Sequence, residues 1–315
     1  MPNCPVCQTS VEAPSERYVS PYNQQEYKRY SCPNCDLHWW EPLKIIPEFY
    51  ESEYLTPYRE FHEGSRNKIP AYSAPFFKLF PKHIKGRLLD VGCGDGIFLK
   101  EAQRQGFEVW GIDFDRKSVE TARKKVGVDT IYAMSLEEFY QFAKEKNIKF
   151  DVITFFEVLE HQDKPMEFLR MVRGLLKNGG YIAGSVPNRN SIIMKLYSKL
   201  YPGDFPPHHF LRFSQKALEE TLKRVGFDSE VHPSVRNFSL LIPHTEAITL
   251  KLFGIDIEKA HKPILRTISK TSKPGLGSLL YRMLRLTRDV AFTIPTIPLW
   301  LIEEGLNLYF QGRKV

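Results

Sequence analysis

Four of the chain's five cysteines stand in two closely spaced pairs, Cys4/Cys7 and Cys32/Cys35, with 24 residues between them. Both pairs are C-x2-C with proline after the first cysteine (CPVC, CPNC). Each presents two thiolates from one tight turn, and two such turns close a tetrahedral Cys4 zinc site. Two disulfides are the rival arrangement, which a reducing compartment disfavours. So short a segment cannot build its own core, and metal binding would supply its folding free energy. Cys93 is unpaired inside a glycine-rich turn and reads as a small packing residue.

That turn lies in LLDVGCGDGIFL, Leu88 to Leu99. It reads as a buried strand, a tight turn and a helix. Asp90 closes the strand, and Gly92, Gly94 and Gly96 follow at alternate positions. Glycine lets backbone approach a ligand closely and accepts positive φ. The dinucleotide fingerprint G-x-G-x-x-G needs its third glycine where Ile97 stands, so the spacing is G-x-G-x-G instead. A second strand, Phe107 to Ile112, ends in Asp113, near where α/β nucleotide sites put a ribose-binding carboxylate. Further strands are expected at 127–132, 150–156, 179–188, 227–232 and 307–313, with helices at 165–176 and 215–225. Alternating strands and helices predict a parallel sheet covered on both faces.

The loop at Asp90 to Gly96 resembles motif I of the class I S-adenosylmethionine-dependent methyltransferases, and four later segments follow in that family's order. The resemblance implies a Rossmann-like, seven-stranded α/β sheet that binds S-adenosylmethionine. Its cofactor-side residues would be Asp90, Gly92, Gly94, Gly96, Asp113, Phe114, Met134, Ser135 and Glu157, with Met134 and Ser135 along the adenine edge.

Two further clusters could handle a proton. Glu157-Val158-Leu159-Glu160-His161 follows the fourth strand, at the sheet edge where open α/β folds bind ligands. It resembles EVLEH of ubiquinone-type O-methyltransferases, which implies a divalent cation at Glu157, Glu160 and His161. The alternative is a polar helix start that closes the cofactor pocket. Pro206-Pro207-His208-His209-Phe210 resembles a PHH-x-x-x-FS segment of zinc-ribbon-bearing family members, and it follows the fifth strand. His208, His209 and His161 are therefore the candidate bases, since imidazole titrates near neutrality. A plain surface loop is the competing reading of the histidine pair. Ser214 is expected to cap the next helix.

The domain plan is a zinc ribbon at 1–45, an aromatic-rich connector or lid at 46–80, the sheet domain at 81–234 plus 304–315, and a helical cap insertion at 235–303. Composition is that of a globular chain, 42% hydrophobic and 26% charged. The net charge is +7, yet the eight Lys/Arg from Lys259 to Arg288 meet no acid, so the remainder is close to neutral. That concentration lowers the nucleic-acid reading, in which the chain would be an RNA base methyltransferase with a zinc module. A non-catalytic binding protein on the same fold is the other alternative. No signal peptide or membrane span is apparent, so a cytoplasmic location is expected. Apolar residues at 279–290 and the stretch Ala291 to Ile302, flanked by Arg282, Arg285 and Arg288, suggest either cap packing or peripheral contact with anionic membrane. The expected acceptor is a small molecule, a sugar or a lipid-linked compound.

Overall fold

A computed structural model describes residues 1–46, 49, 56–198, 204–234, 297–298, 301 and 305–315. The chain divides into a unit of Met1–Arg189, Gly203–Ser234 and Asn307–Val315, and a second of Asn190–Pro202 and Val235–Leu306. The expected cap insertion and its amphipathic stretch lie almost wholly outside the described residues.

In the first unit the ribbon contributes β1 (Glu16–Val19), β2 (Glu26–Ser31) and β3 (His38–Glu41), followed by helices α1 (Thr56–Glu63) and α2 (Ala74–Leu79). The alternating part runs β4 (Gly86–Val91), α3 (Ile97–Arg104), β5 (Phe107–Asp113), α4 (Arg116–Val126), β6 (Ile131–Ala133), α5 (Leu136–Glu145) and β7 (Phe150–Phe156). A 3-10 turn at Leu159–His161 leads to α6 (Pro165–Leu175) and β8 (Leu176–Pro187). In the second unit, α7 (Ile192–Ser198) is opened by the Ser191 hydroxyl, which accepts from the Met194 amide at 3.0 Å. The first unit resumes with β9 (Leu211–Arg212), α8 (Gln215–Arg224), β10 (Phe227–Pro233) and β11 (Asn307–Lys314).

Among the described residues the strands form two sheets. The larger has seven strands in the order β10-β11-β8-β7-β4-β5-β6. Its β6-β5-β4-β7-β8 portion is parallel, and β11 inserts antiparallel between β8 and β10. This is the class I methyltransferase arrangement. Residues buried on both faces explain the apolar run of β7, whose Val152, Ile153 and Phe155 are fully buried. The smaller sheet, β1-β2-β3-β9, takes its fourth strand from the segment after the histidine pair. Leu211 and Arg212, from far along the chain, thus pair with the ribbon expected at 1–45.

Local chemistry sets the helix ends. Asp115 caps α4 by accepting from the amides of Lys117 and Ser118. Gly127, at φ 78°, closes that helix. The third core strand therefore begins at Ile131 rather than at the expected 127. β8 starts three residues earlier than expected, directly where α6 ends. Ser214 caps α8 as expected, its hydroxyl accepting from the Ala217 amide at 3.1 Å.

Candidate active site and cysteine centre

The four ribbon sulfurs converge. Cys4 Sγ lies 3.5 Å from Cys35 Sγ, and Cys7 Sγ lies 3.3 Å from Cys32 Sγ. All four ligand atoms fall within 4.8 Å of one another, and none of the cysteines is in a disulfide. Zinc–thiolate bonds of about 2.3 Å would space tetrahedral sulfurs about 3.8 Å apart, so a slight expansion admits the ion. Hydrogen bonding to Cys4 together with burial pushes the Cys35 thiol well up, whereas Thr9 overcomes burial to bring Cys7 down to about 6. A cluster so crowded with sulfur, partly ionisable and unbridged, fits a thiolate-bound metal.

The glycine loop joins β4 to α3. Gly92, Gly94 and Gly96 all have positive φ, at 76°, 51° and 73°. A Cβ on Gly92 would come within 2.7 Å of Val158, and one on Gly96 within 2.9 Å of Ala122. Space and backbone conformation both require glycine there. Above Gly94 lies the ring of Phe61 from α1, 3.7 Å from where a Cβ would be. Arg66 stacks on that ring at 4.6 Å. α1 is tied down further by His62 Nε2, 2.6 Å from Asp115 Oδ2, and by the Thr121 hydroxyl, which donates to the His62 carbonyl. The reading of 46–80 as an aromatic-rich connector or lid did not say which ring would meet the loop.

Asp113 ends β5 with its carboxylate turned back to the loop. It accepts from the Gly94 amide at 2.9 Å and the Asp115 amide at 3.0 Å. Burial nonetheless raises this carboxyl to about 6. Each oxygen keeps capacity for a further donor. Asp90, fully enclosed, accepts from the Thr154 hydroxyl at 2.7 Å, and burial lifts its carboxyl to about 8. Phe114 is half-exposed beside Asp113. Met134 donates its amide to the Asp113 carbonyl. The Ser135 hydroxyl and amide form a reciprocal capping box with Glu138 at the start of α5. Its side chain is committed to the helix end.

The acid-rich segment after β7 is rearranged relative to the sequence reading. Glu157 adopts φ 55°, and its carboxylate accepts from the Ser185 hydroxyl at 2.7 Å and the Asn307 amide group at 3.1 Å. Glu160 is fully buried with no hydrogen-bond partner on either carboxylate oxygen. Burial and the neighbouring Glu157 charge push its carboxyl well above the usual range. Of the expected cation set of Glu157, Glu160 and His161, His161 Nε2 lies 3.8 Å from Glu160 Oε1. His161 also joins His208 and His209, their ligand atoms within 4.8 Å of one another. The Glu157 carboxylate is engaged by Ser185 and Asn307.

Within the histidine cluster, His161 Nδ1 meets the His208 carbonyl at 2.5 Å. Burial, with His209 nearby, pulls this imidazole down to about 3. His161 is thus neutral at physiological pH and a weak base. His209 Nδ1 lies 2.9 Å from Asp204 Oδ1. Asp204, 7% exposed, also pairs with Arg212 at 2.7 Å. The sequence reading passed over Asp204; an acid five residues before a histidine in a proline-stiffened loop was the signal available.

A family model described as "Methyltransferase domain" matches residues 65–231, more than half of the chain. The chain belongs to that methyltransferase family. It is 39% identical over 172 residues to the ubiquinone biosynthesis O-methyltransferase of Bordetella avium, covering 49% of this chain and 69% of that protein. The Aliivibrio fischeri enzyme of the same name is 36% identical over 107 residues, covering 33% of this chain and 45% of its own. The chain thus spans under half the length of that relative. A solved SAM-dependent methyltransferase from Archaeoglobus fulgidus aligns at 16% identity and a TM-score of 0.48, over 83% of this chain and 100% of its own.

Proposed function

We propose that the chain is an S-adenosylmethionine-dependent methyltransferase acting on a small-molecule, sugar or lipid-linked acceptor, by O- or C-methylation, with structural zinc in its cysteine ribbon. The observation that carries this reading is the bond from the Gly94 amide to Asp113, which locks a ribose-competent carboxylate to a glycine turn. Cofactor would be held by the backbone at Gly92, Gly94 and Gly96, by Asp113 on the ribose, and by Met134 and Phe114 on the base; Asp90 stays neutral beneath. S-adenosylmethionine supplies an activated methyl on a sulfonium, so the protein's task is positioning and exclusion of water. Glu157 acts from beside the loop through its bonds to Ser185 and Asn307.

A hydroxyl or carbon-acid acceptor must lose a proton as the methyl is transferred, and the histidine loop offers the base. Asp204 holds His209 in the Nδ1–H tautomer, which directs Nε2 toward an acceptor proton. Asp204 touches no substrate in this reading; it is a positioning residue. His208 and His161 complete the polar wall. Among the described residues no helix is long and apolar enough to cross a membrane.

Screening catechols, hydroxylated aromatics and nucleotide-linked sugars with methyl-labelled S-adenosylmethionine tests the assignment. On any acceptor found, His209→Ala should cut turnover by about 10²-fold or more while cofactor affinity holds. Turnover that follows His161 instead would move the base to the acid-rich segment.

A further inference from the structure

The cysteine ribbon and the histidine loop lie far apart in the sequence, yet backbone hydrogen bonds, side chains and a common core join them. β9, immediately after the histidine pair, is a strand of the ribbon sheet, with His38 opposite Arg212 and Trp39 opposite Leu211. The Trp40 amide extends that pairing by donating to the Phe210 carbonyl at 3.0 Å. Rings interlock alongside: Tyr18 stacks on Phe205 at 4.5 Å, and Tyr27 meets Phe210 edge-on at 6.2 Å.

The connection narrows at Asp36, the residue next to the ligand Cys35. Its φ of 62° turns the chain out of the knuckle. Its carboxylate Oδ2 accepts from the Ser214 hydroxyl at 2.5 Å and from Arg189 Nη2 at 2.7 Å, while Arg189 Nη1 donates to its carbonyl. Ser214 caps the helix after the histidine loop, and Arg189 follows β8, its own amide donating to the Phe213 carbonyl at 2.9 Å. One carboxylate thus pins the zinc knuckle to both ends of the segment that carries His208 and His209. From β9 the path continues through Arg212 to Asp204 and on to His209 Nδ1. The hydrogen bonds that hold the glycine loop run instead to β5, α3 and α4, and among the described residues none of them reaches the ribbon.

We propose that the metal-bound ribbon is the template on which the histidine loop is held, with Asp36 the positioning residue that couples the cysteine centre to His209. The ribbon then governs the acceptor side of the site and leaves the cofactor side alone. This rests on His209 being the base of the proposed methyl transfer.

The test uses the full-length zinc-loaded protein, labelled with 15N-histidine and studied without cofactor. His209 is assigned by the signal lost in His209→Gln. In Asp36→Asn, the His209 Nδ1 proton should exchange with water about tenfold faster, as expected when one hydrogen bond of ordinary net strength is weakened. Ser214→Ala, which removes the same contact from the other side, should move it in the same direction. S-adenosylhomocysteine affinity of both variants should stay within about two-fold of wild type. An unchanged His209 signature in Asp36→Asn, whatever its zinc content, overturns the proposal. So does a changed signature accompanied by a matching loss of S-adenosylhomocysteine affinity, which would indicate general loosening. Because the histidine signature is read without cofactor, a wild type that binds no S-adenosylhomocysteine would defeat the enzyme reading and leave this coupling to be judged separately.

Discussion

Asp204→Asn is the substitution whose consequences the structure specifies best. The Asp204 side chain is 8% exposed and that of Arg212 is 10% exposed, and they meet at 2.7 Å. Arg212 also donates to the Asp204 carbonyl at 3.1 Å. Neutralising the acid removes the enclosed guanidinium's counter-charge, leaving it the Asn amide oxygen and that carbonyl as acceptors, and breaking a buried pair from one side costs about 3–5 kcal/mol. The remaining carbonyl bond argues for the lower end. Burial opposes ionisation of Asp204, but hydrogen bonding from His209 and the Arg212 charge hold the carboxyl below its ordinary range. The pair therefore contributes stability above the unfolded carboxylate pKa of about 3.9 and loses it as pH falls through the folded value. Urea unfolding at pH 7, compared with wild type, should show the loss. The double variant Asp204→Asn, Arg212→Met should recover much of it, because no buried charge is then left unpaired. A loss below about 1 kcal/mol, the worth of an exposed pair, would refute the reasoning.

Three other outcomes follow from particular residues. The ribose hydroxyls need an ionised acceptor, so S-adenosylhomocysteine affinity should fall as pH drops through about 6, where Asp113 takes up its proton; calorimetry at several pH values checks this, and Asp113→Asn should flatten the profile. Cys32→Ser should lower the zinc content from about one per chain and unfold the ribbon, read by elemental analysis and limited proteolysis, since structural zinc carries the folding free energy of such modules. Glu160 favours its proton in the fold but releases it on unfolding, so wild-type stability should decline as pH rises above the ordinary carboxylate range. Glu160→Gln should remove much of that decline in denaturation curves at pH 5 and 8.

The glycine loop, Asp113 and the two cysteine pairs were legible because each is a local pattern whose chemistry follows from its spacing. β7 was legible in FDVITFF because a strand buried on both faces is an apolar run. β9 was not: two residues carry no periodicity, and pairing with β3 is set by tertiary packing across more than 170 residues of chain. Gly127 read as part of a strand because glycine alone does not announce a helix cap. The grouping of His161 with His208 and His209 was not legible because residue types at adjacent positions do not reveal which loops meet, nor that a left-handed turn at Glu157 sends its carboxylate to Asn307. Asp204 and Asp36 escaped notice for a related reason. Their partners are spread over β8, β9 and the cap of α8, and only the folded chain brings them together.

The proposed function requires that S-adenosylmethionine bind at the turn from Asp90 to Gly96. Calorimetric titration of the zinc-loaded wild type with S-adenosylhomocysteine at pH 7.5 tests it most directly. One site per chain with roughly micromolar affinity is the expected result. Asp113→Ala should weaken binding by about 1.5–3 kcal/mol, the worth of hydrogen bonds to a charged group. A wild-type protein that is folded and zinc-loaded yet gives no binding signal would contradict the account.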